Sequence, residues 1–301
     1  MKRFMTIGLI AIAVSGFPGL ARGAETVLIL SSSEPEYGVV ADAFRSAFSC
    51  DFREINLEGS DERQRTVGEE LKASKPAVAV VVGDLAAQMA KWYLEGVPVI
   101  YCDAVRATKM SLASSSVGIY HEPDPGKQLR IMHELFPEKT RIGLLYSPEY
   151  ASINEADVKR ESKSLGITLE LSGMRSIKQV PSKLREIIPK VDLLWVLTDP
   201  VVLSSHSSQY LVLQSISGGI PIFCGDKLLA HGGATAALVP DLEDAGKKAA
   251  ENAKQVLTGS GPSPGTVIYP KGKLVLNQRT ASLLKVSFPP SLVSQAGEVI
   301  Q

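Results

Sequence analysis

Short apolar runs alternate with amphipathic stretches along most of this chain, and that alternation limits its fold more than any other feature. Most of the runs are rich in Val, Ile and Leu. Such runs are typical of parallel strands that are covered on both faces. Strands that alternate with helical patterns predict an α/β fold built from parallel sheets.

The predicted strands and helices form two successive series. The first series has strands at Thr26–Leu30, Phe52–Ile55, Ala77–Val82, Val97–Tyr101 and Ser116–His121. Its helices are predicted near Tyr37–Phe48, Asp61–Ala73 and Leu85–Glu95. The second series has strands near Arg141–Tyr146, Thr168–Leu171, Leu193–Thr198, Ile220–Phe223 and Thr235–Val239. Its helices are predicted near Asn154–Leu165, Pro181–Ile188, Val201–Ile216 and Leu242–Leu257.

An internal repeat relates the two series. Each has a strand that ends in Asp, then a helix, then Gly, a β-branched residue and Pro before a second strand that is followed by Cys and Asp. The aspartates are Asp84 and Asp103 in the first series and Asp199 and Asp226 in the second. Chance similarity between two αβ units is the alternative, since Gly-Ile-Pro-Ile before a strand is common. The repeat favours two similar open parallel-sheet lobes joined by a hinge.

The N-terminus has the features of a secretory signal peptide over residues 1–23. A basic start, an apolar segment over Ile7–Val14 and a small-residue site at Ala21-Arg22-Gly23 follow one another. The alternative is a membrane anchor, but the apolar segment is too short to span a bilayer. We therefore expect a soluble, exported, periplasmic protein. We expect residues 24–121 to form an N-terminal lobe and residues 122–240 a C-terminal lobe. Residues 241–301 would cross back over the hinge and complete part of the first lobe.

Composition limits the class of protein further. The chain has 301 residues and 45% hydrophobic content, which is ample for a large core. Its formal net charge is zero, so nothing predicts binding to nucleic acid or to an anionic membrane. Three cysteines are too few for a disulfide scaffold, and we expect buried free thiols, although export permits one bridge between two of Cys50, Cys102 and Cys224.

Signals for catalysis or metal binding are weak. The sequence has no Cys-x-x-Cys pair, and its Gly-x-Ser-x-Gly match at residues 261–265 lies in a turn-rich linker that no predicted strand leads into, unlike a nucleophile elbow. Metal-ligand spacing is also lacking among the four histidines, which are His121, His133, His206 and His231. We therefore expect surface or core histidines, no metal and no enzyme activity.

Polar residues cluster where the predicted strands end. Ligands of open parallel sheets bind beyond the carboxyl ends of the strands, and two facing lobes make a cleft there. The candidate ligand-binding residues are Ser32, Ser33, Tyr37, Gly83, Asp84, Asp103, Ser147, Tyr150, Thr198, Asp199 and Asp226. Hydroxyls and helix N-termini suit a carboxylate, a carboxylate side chain suits an ammonium, and tyrosines suit an apolar group. Together these residue types suit a small zwitterion.

Each candidate also has a local structural explanation. Serine and aspartate cap helices, and tyrosine fills cores. Asp199 shows the alternatives clearly. It precedes Pro200, and Asp at the N-cap with Pro at the first helical position is a common start of a helix. The same carboxylate also stands at a strand end, where it can meet a ligand.

The chain resembles the periplasmic solute-binding proteins of ABC transporters, in the branch with tryptophan- and tyrosine-type binding components. The resemblance is carried by a series of short stretches in order along the mature chain. They are Ser116–Tyr120, Gln128-Leu129, Leu135-Phe136-Pro137, Arg141–Pro148, Asp192–Asp199, Gly219–Ile222, Gly232-Gly233-Ala234, Asp241–Gly246, Ala249-Ala250, Leu257-Thr258-Gly259, Asn277, Ala281 and Phe288–Leu292. The chain departs from the family at Ser116–His121, where Asn-Val-Thr-Gly is common, and at Pro200, where Asn or Ser is common.

The resemblance implies a type I periplasmic-binding fold that closes about a hinge, without a cofactor. It also implies ligand contacts from the first-strand loop, from Asp199 and from the loop after Tyr146. The expected function is capture of a small solute by a monomer, with an aromatic or apolar amino acid as the favoured ligand, and its delivery to an ABC permease at the inner membrane. An extracytoplasmic sensor that uses the same cleft is the alternative, and a hydrolase on a similar core is a more distant one.

Overall fold

The computed structural model describes residues 25–107, 116–150 and 153–301. The predicted signal peptide lies outside these residues. Within them the strands are β1 (Thr26–Leu30), β2 (Arg53–Asn56), β3 (Val78–Val82), β4 (Val99–Cys102), β5 (Ser116–Ile119), β6 (Arg141–Tyr146), β7 (Thr168–Gly173), β8 (Leu193–Val196), β9 (Ile222–Cys224), β10 (Ala236–Pro240), β11 (Val267–Ile268), β12 (Gly272–Asn277) and β13 (Glu298–Ile300).

Helices occupy most of the connections between these strands. They are α1 (Pro35–Ala47), α2 (Asp61–Ser74), α3 (Asp84–Tyr93), α4 (Pro125–Leu135), α5 (Glu155–Ser164), α6 (Val180–Ile187), α7 (Ser205–Gly218), α8 (Lys227–His231), α9 (Leu242–Leu257), α10 (Gln278–Leu283) and α11 (Pro290–Gln295). No helix in the three described ranges is both long and apolar enough to cross a membrane.

The strands form two sheets with the same internal order. The first sheet runs β2-β1-β3-β4-β5-β11 and is parallel throughout. The second runs β7-β6-β8-β9-β10-β12-β13, with β12 antiparallel to β10. β3 and β4 therefore hold the same places in their sheet as β8 and β9 in theirs. The predicted fold of two similar α/β lobes with mostly parallel sheets is confirmed.

Buried side chains cover both faces of each sheet. Five-residue strands such as β1 and β3 are buried at every position, which explains their unbroken apolar runs. The strand-end thiols of Cys102 and Cys224 are buried and unpaired, as expected. The thiol of Cys50 is also unpaired but exposed, so the expectation of burial was wrong there. Cys50 lies in the polar loop before β2, outside the apolar runs.

Over the described ranges the chain passes between the two sheets three times, near residues 120–124, 241 and 269–271. Tyr120 of the first passage stacks on Tyr269 of the third, with ring centroids 5.2 Å apart. The N–H of Asp241, in the second passage, donates to the carbonyl of Lys271 at 2.7 Å. Because these passages contact one another, three adjacent segments of the chain together connect the two sheets.

The second passage leads into α9, which packs on α1, β3 and β4 of the first sheet. Gly246 permits this packing, because a Cβ there would overlap the carbonyl oxygen of Val40. The chain after Pro240 thus returns to the first sheet, adds β11 to it, and then supplies β12 and β13 to the second.

One helix starts four residues later than predicted, whereas the other predicted helices start within two residues of their predictions. We predicted a helix from Val201, but α7 begins at Ser205, where Ser204 and Ser207 form a capping box. The Asp-Pro pair before it caps a single turn, in which the N–H of Leu203 donates to the Asp199 carbonyl at 2.7 Å. α4 was not predicted, although Asp124 caps it with Pro125 at its start.

Gln128 of α4 ties the first passage to the core of the second sheet. Its amide donates to the carbonyl of Pro123 and accepts from the indole of Trp195, both at 2.9 Å, and both side chains are fully buried. We expect Gln128→Leu to lower the free energy of unfolding by about 2–3 kcal/mol, because it leaves a buried donor and a buried acceptor unpaired. Denaturant unfolding measures this, with the exposed neighbour Lys127→Leu as the control. Equal stability of the two variants would contradict the expectation.

Candidate functional site

The carboxyl ends of strands from both sheets line a cleft with two adjoining cavities. The cavities measure about 220 and 250 Å³. Val105, Thr198 and Asp226 line both of them. The first is also lined by Glu36, Asp103, His121, Gly225, Lys227, Leu228, Val239, Pro240 and Leu242. The second adds Asp84, Arg106, Asp199, Pro200 and Leu203. Groups from both lobes thus surround one space, as in a site that closes on a ligand.

The predicted site residues divide into two groups. Five of them line the cavities, namely Asp84, Asp103, Thr198, Asp199 and Asp226. The other six do not appear in the cavity walls, namely Ser32, Ser33, Tyr37, Gly83, Ser147 and Tyr150.

Two of the serines form hydrogen bonds within their own loops. Ser32 Oγ accepts from the N–H of Glu34 at 3.4 Å, and Ser147 Oγ accepts from the N–H of Glu149 at 3.3 Å. These bonds are the local roles that serine takes in turns. Ser33 Oγ instead accepts from the side-chain amide of Asn56, at the end of β2, at 3.0 Å.

Gly83 and Tyr37 lie against each other at the strand ends and are not part of the cavity walls, and the N–H of Gly83 donates to the carbonyl of Cys102 at the end of β4 at 3.0 Å. Gly83 has φ +85°, and a Cβ there would stand 2.6 Å from both the Ser31 Oγ and the Tyr37 ring. Only glycine fits this turn without displacing the tyrosine. Burial, then the nearby charge of Asp103, raises the pKa of Tyr37 far above its usual range. Tyr37 therefore remains a neutral phenol beside that carboxylate.

Asp199 uses both of its oxygens on backbone groups. Oδ1 accepts from the N–H of Val201 at 2.7 Å, and Oδ2 accepts from the N–H of Ser147 in the loop after β6. The residue is 1% exposed, and burial raises the pKa of its carboxyl. Asp199 thus joins two strand-end loops. Its counterpart Asp84 does the same in the first lobe, where its Oδ1 accepts from the N–H of Arg106 at 2.8 Å.

Asp103 is a carboxylate of the cleft that has no side-chain partner among the described residues. It follows β4 with φ +49°, a conformation that Asp and Asn tolerate better than other non-glycine residues. Within residues 25–107, 116–150 and 153–301, no hydrogen bond or salt bridge reaches its side chain. Burial raises the pKa of this carboxyl to about 6, against the nearby His121, while Asp84, Glu36 and Glu34 raise it further. A strained, partly buried and unpaired acid is a common feature of a binding site.

Sequence reasoning missed the residues of the first passage. His121 is 4% exposed and lines the smaller cavity, and Glu122 is 1% exposed and accepts from the N–H of Thr198. Gly225 leaves room for this contact, because a Cβ there would stand 2.7 Å from Glu122 Oε1. Their position just after β5 was the available signal, since it is a strand carboxyl end like the others.

Two other cavities are each lined by described residues of a single lobe. A space of about 600 Å³ borders the edge strand β2 and is lined only by residues 53–70 of the first lobe. Another, of about 370 Å³, lies between α7 and α8. Each cavity of the cleft is smaller than either of these, but the cleft cavities combine strand ends of both sheets. Among the described residues, no group of three or more His, Cys, Asp or Glu side chains is arranged to hold a metal ion.

Residues 49–300 match the family described as ABC transporter substrate binding protein. The chain belongs to this family. The resemblance predicted from the sequence is therefore confirmed. Proteins of this family bind solutes rather than catalyse reactions, and they act outside the cytoplasm. In this family the ligand is a small molecule and the partner is an ABC permease.

A curated relative is the tyrosine-binding protein of Clostridioides difficile (strain R20291), which is 26% identical over 162 residues. The match covers 52% of this chain and 46% of the relative, so it spans about half of either protein.

Solved structures share the fold over nearly the whole chain. An ABC domain from Streptococcus pneumonia, in complex with L-Trp, is 23% identical with a TM-score of 0.65, covering 92% of this chain and 100% of that one. The ligand-free, open structure of a Clostridium difficile substrate-binding protein with adhesive properties is 16% identical with a TM-score of 0.69, covering 92% and 99%. At these identities the likeness concerns the fold.

Proposed function

We propose that this substrate-binding protein captures an amino acid with an apolar or aromatic side chain in the cleft and delivers it to an ABC permease from the periplasm. The observation that supports this proposal most directly is the carboxylate of Asp103, which lies where the two lobes meet and has no hydrogen-bond or ion-pair partner among the described residues. A carboxylate in such a place is a strong partner for an ammonium, by a charge-assisted hydrogen bond.

The charges of the cleft support a cationic group on the ligand. Among the described residues of the cavity walls, carboxylates outnumber cations, and Arg106 and Lys227 are the basic residues other than His121. Arg106 already lies 3.8 Å from Asp84, and Lys227 lies 3.1 Å from Glu298. A ligand ammonium would offset part of the remaining negative charge.

The apolar part of the cleft supports an apolar ligand side chain. Aliphatic groups from both lobes form this part of the walls, namely Val105, Leu203, Leu228, Val239 and Leu242. The curated relative, named for tyrosine, supports the same class of ligand. A ligand that combines an ammonium with an apolar side chain fits both regions.

A thermal-shift screen of the purified protein tests the proposal. The panel holds the twenty amino acids, small carboxylates and sugars. We expect an apolar or aromatic amino acid to raise the melting temperature, with a stabilisation of about 2.7 kcal/mol at one hundred times the dissociation constant. The matched hydroxy acid, which lacks the ammonium, is the control and should give little shift. A panel without any amino-acid response, or a response to sugars alone, would contradict the proposal.

A further inference from the structure

Two buried polar atoms of residues that line the smaller cavity have no partner in the described part of the chain. His121 Nε2 comes from the end of β5 in the first lobe, and Thr198 Oγ1 from the end of β8 in the second. Neither atom has a hydrogen-bond partner among the residues that the structure describes. Buried polar groups in folded proteins are nearly always hydrogen-bonded, so each unpaired one requires an explanation. Two that face one cavity point to a shared ligand.

The neighbouring groups decide what these atoms can bind. Glu36, Asp103 and Asp226 also line this cavity, and as carboxylates they accept hydrogen bonds and repel anions. The lysine in its wall, Lys227, is paired with Glu298. Within the described part of the cavity wall, His121 and Thr198 therefore supply the side-chain donors that have no partner.

The strand order places His121 close to Asp103. β4 and β5 are adjacent parallel strands, with Cys102 opposite Ile119, so the residues that follow them are neighbours. The electrostatic interaction with His121 lowers the pKa of the Asp103 carboxyl, against the larger effect of burial. An α-amino acid carries its ammonium and its carboxylate on one carbon atom, so the donors for its carboxylate must lie near the acceptor for its ammonium.

We infer that His121 Nε2 and Thr198 Oγ1 donate hydrogen bonds to the carboxylate of the bound amino acid, while Asp103 accepts from its ammonium. This inference rests on the proposed function. It gives each lobe one donor to the same ligand group, so the ligand bridges the lobes when it binds. His121 is thereby a residue that makes binding specific for ligands with an α-carboxylate.

The test compares amino acids with their carboxamides, which keep the ammonium and the side chain but lose the negative charge. L-tryptophan, L-tyrosine and L-leucine are titrated calorimetrically beside the three amides. His121→Phe keeps a ring of similar size and removes both nitrogens. We expect it to weaken binding of the acids at least tenfold and binding of the amides less than threefold. His121→Gln, whose amide nitrogen can reach the position of Nε2, should restore much of the affinity for the acids.

The matched control is His133→Phe. His133 lies on α4, outside both cavities, and its buried Nδ1 also has no partner among the described residues. The His133→Phe variant should leave the affinities for the three amino acids and their three amides unchanged.

Three results would overturn the inference while the wild-type protein still binds amino acids. They are unchanged binding of the acids by His121→Phe, equal weakening of acid and amide, and failure of His121→Gln to restore the acids. Equal weakening would mean that the ring only fills space. If the wild-type protein binds none of the three amino acids and the wider screen is also negative, the proposed function fails and the inference fails with it.

Discussion

Asp103→Asn is expected to weaken amino-acid binding by about ten- to one-hundredfold and, at the same time, to stabilise the ligand-free protein. Binding falls because the ammonium loses a charged acceptor, which is worth about 1.5–3 kcal/mol. Asparagine keeps the shape of the side chain and tolerates the φ of +49° at this position. Calorimetric titration measures the affinity, and denaturant unfolding measures the stability.

The stabilisation follows from the sign of the pKa shift. The pKa of the Asp103 carboxyl is about 6 in the folded protein against 3.8 ordinarily, so between these values the folded state binds more protons than the unfolded state. The carboxyl therefore lowers stability as pH rises from about 4 to 6, and the full loss remains above pH 6. We expect Asp103→Asn to exceed the wild-type stability at pH 7.5 by about 1–3 kcal/mol, with the difference vanishing near pH 4.

The same titration predicts the pH dependence of binding. Protonation of Asp103 removes its charge, so affinity for the amino acid should fall as the pH drops through about 6 and hold above it. Glu36→Gln is the control, because it removes an exposed carboxylate from the same cavity wall. It should change affinity less than threefold. An Asp103→Asn protein that binds normally, or that is less stable than wild type at pH 7.5, would contradict this account.

Asp199→Ala is expected to lower the free energy of unfolding by about 2–4 kcal/mol. The change leaves the N–H groups of Ser147 and Val201 without their acceptor at a position that is 1% exposed. Each buried group left unpaired costs about 1–3 kcal/mol. Removal of a buried charge with a raised pKa offsets part of this loss. Denaturant unfolding at pH 7.5 measures the difference.

Asp51→Ala serves as the control for Asp199→Ala. Asp51 is exposed and lies in a loop, so its replacement should change stability by less than about 0.5 kcal/mol. The competing hypothesis makes Asp199 a direct contact of the ligand. Wild-type stability together with lost binding in Asp199→Ala would favour that hypothesis and would contradict the structural role proposed here.

Much of the fold was predictable because burial dictates the pattern of apolar residues. β1, β6 and α9 have the predicted limits at both ends. The strands after α9 were missed. β12 has six residues, four of them buried, and was missed all the same, whereas β11 and β13 are two- and three-residue strands without a fully buried position. Strands as short and as exposed as β11 and β13 have too few apolar positions to show the periodic spacing that predicts a strand.

The two Asp-Pro pairs show that this local sequence signal predicts the start of a helical turn but not the length of the helix. Asp124-Pro125 begins the eleven-residue helix α4, whereas Asp199-Pro200 begins one turn. After Pro125, buried residues continue at helical spacing through Leu129 and Met132. After Pro200, the capping box at Ser204 starts a separate helix. The dipeptide alone favours a start of either kind, and the residues that follow select one.

The sequence by itself determined the α/β class, the two similar halves and the presence of polar side chains at the strand ends, because these depend on the order of apolar and polar residues along the chain. Only the tertiary structure decided which of those polar groups remain available to a ligand. The Asp199 carboxylate already accepts a hydrogen bond from the N–H of Ser147, 52 residues earlier in the chain. Asp103 has no such partner among the described residues and lies near His121. Hydrogen bonds between strand-end loops depend on which strands are neighbours, and no local pattern of residues specifies that order.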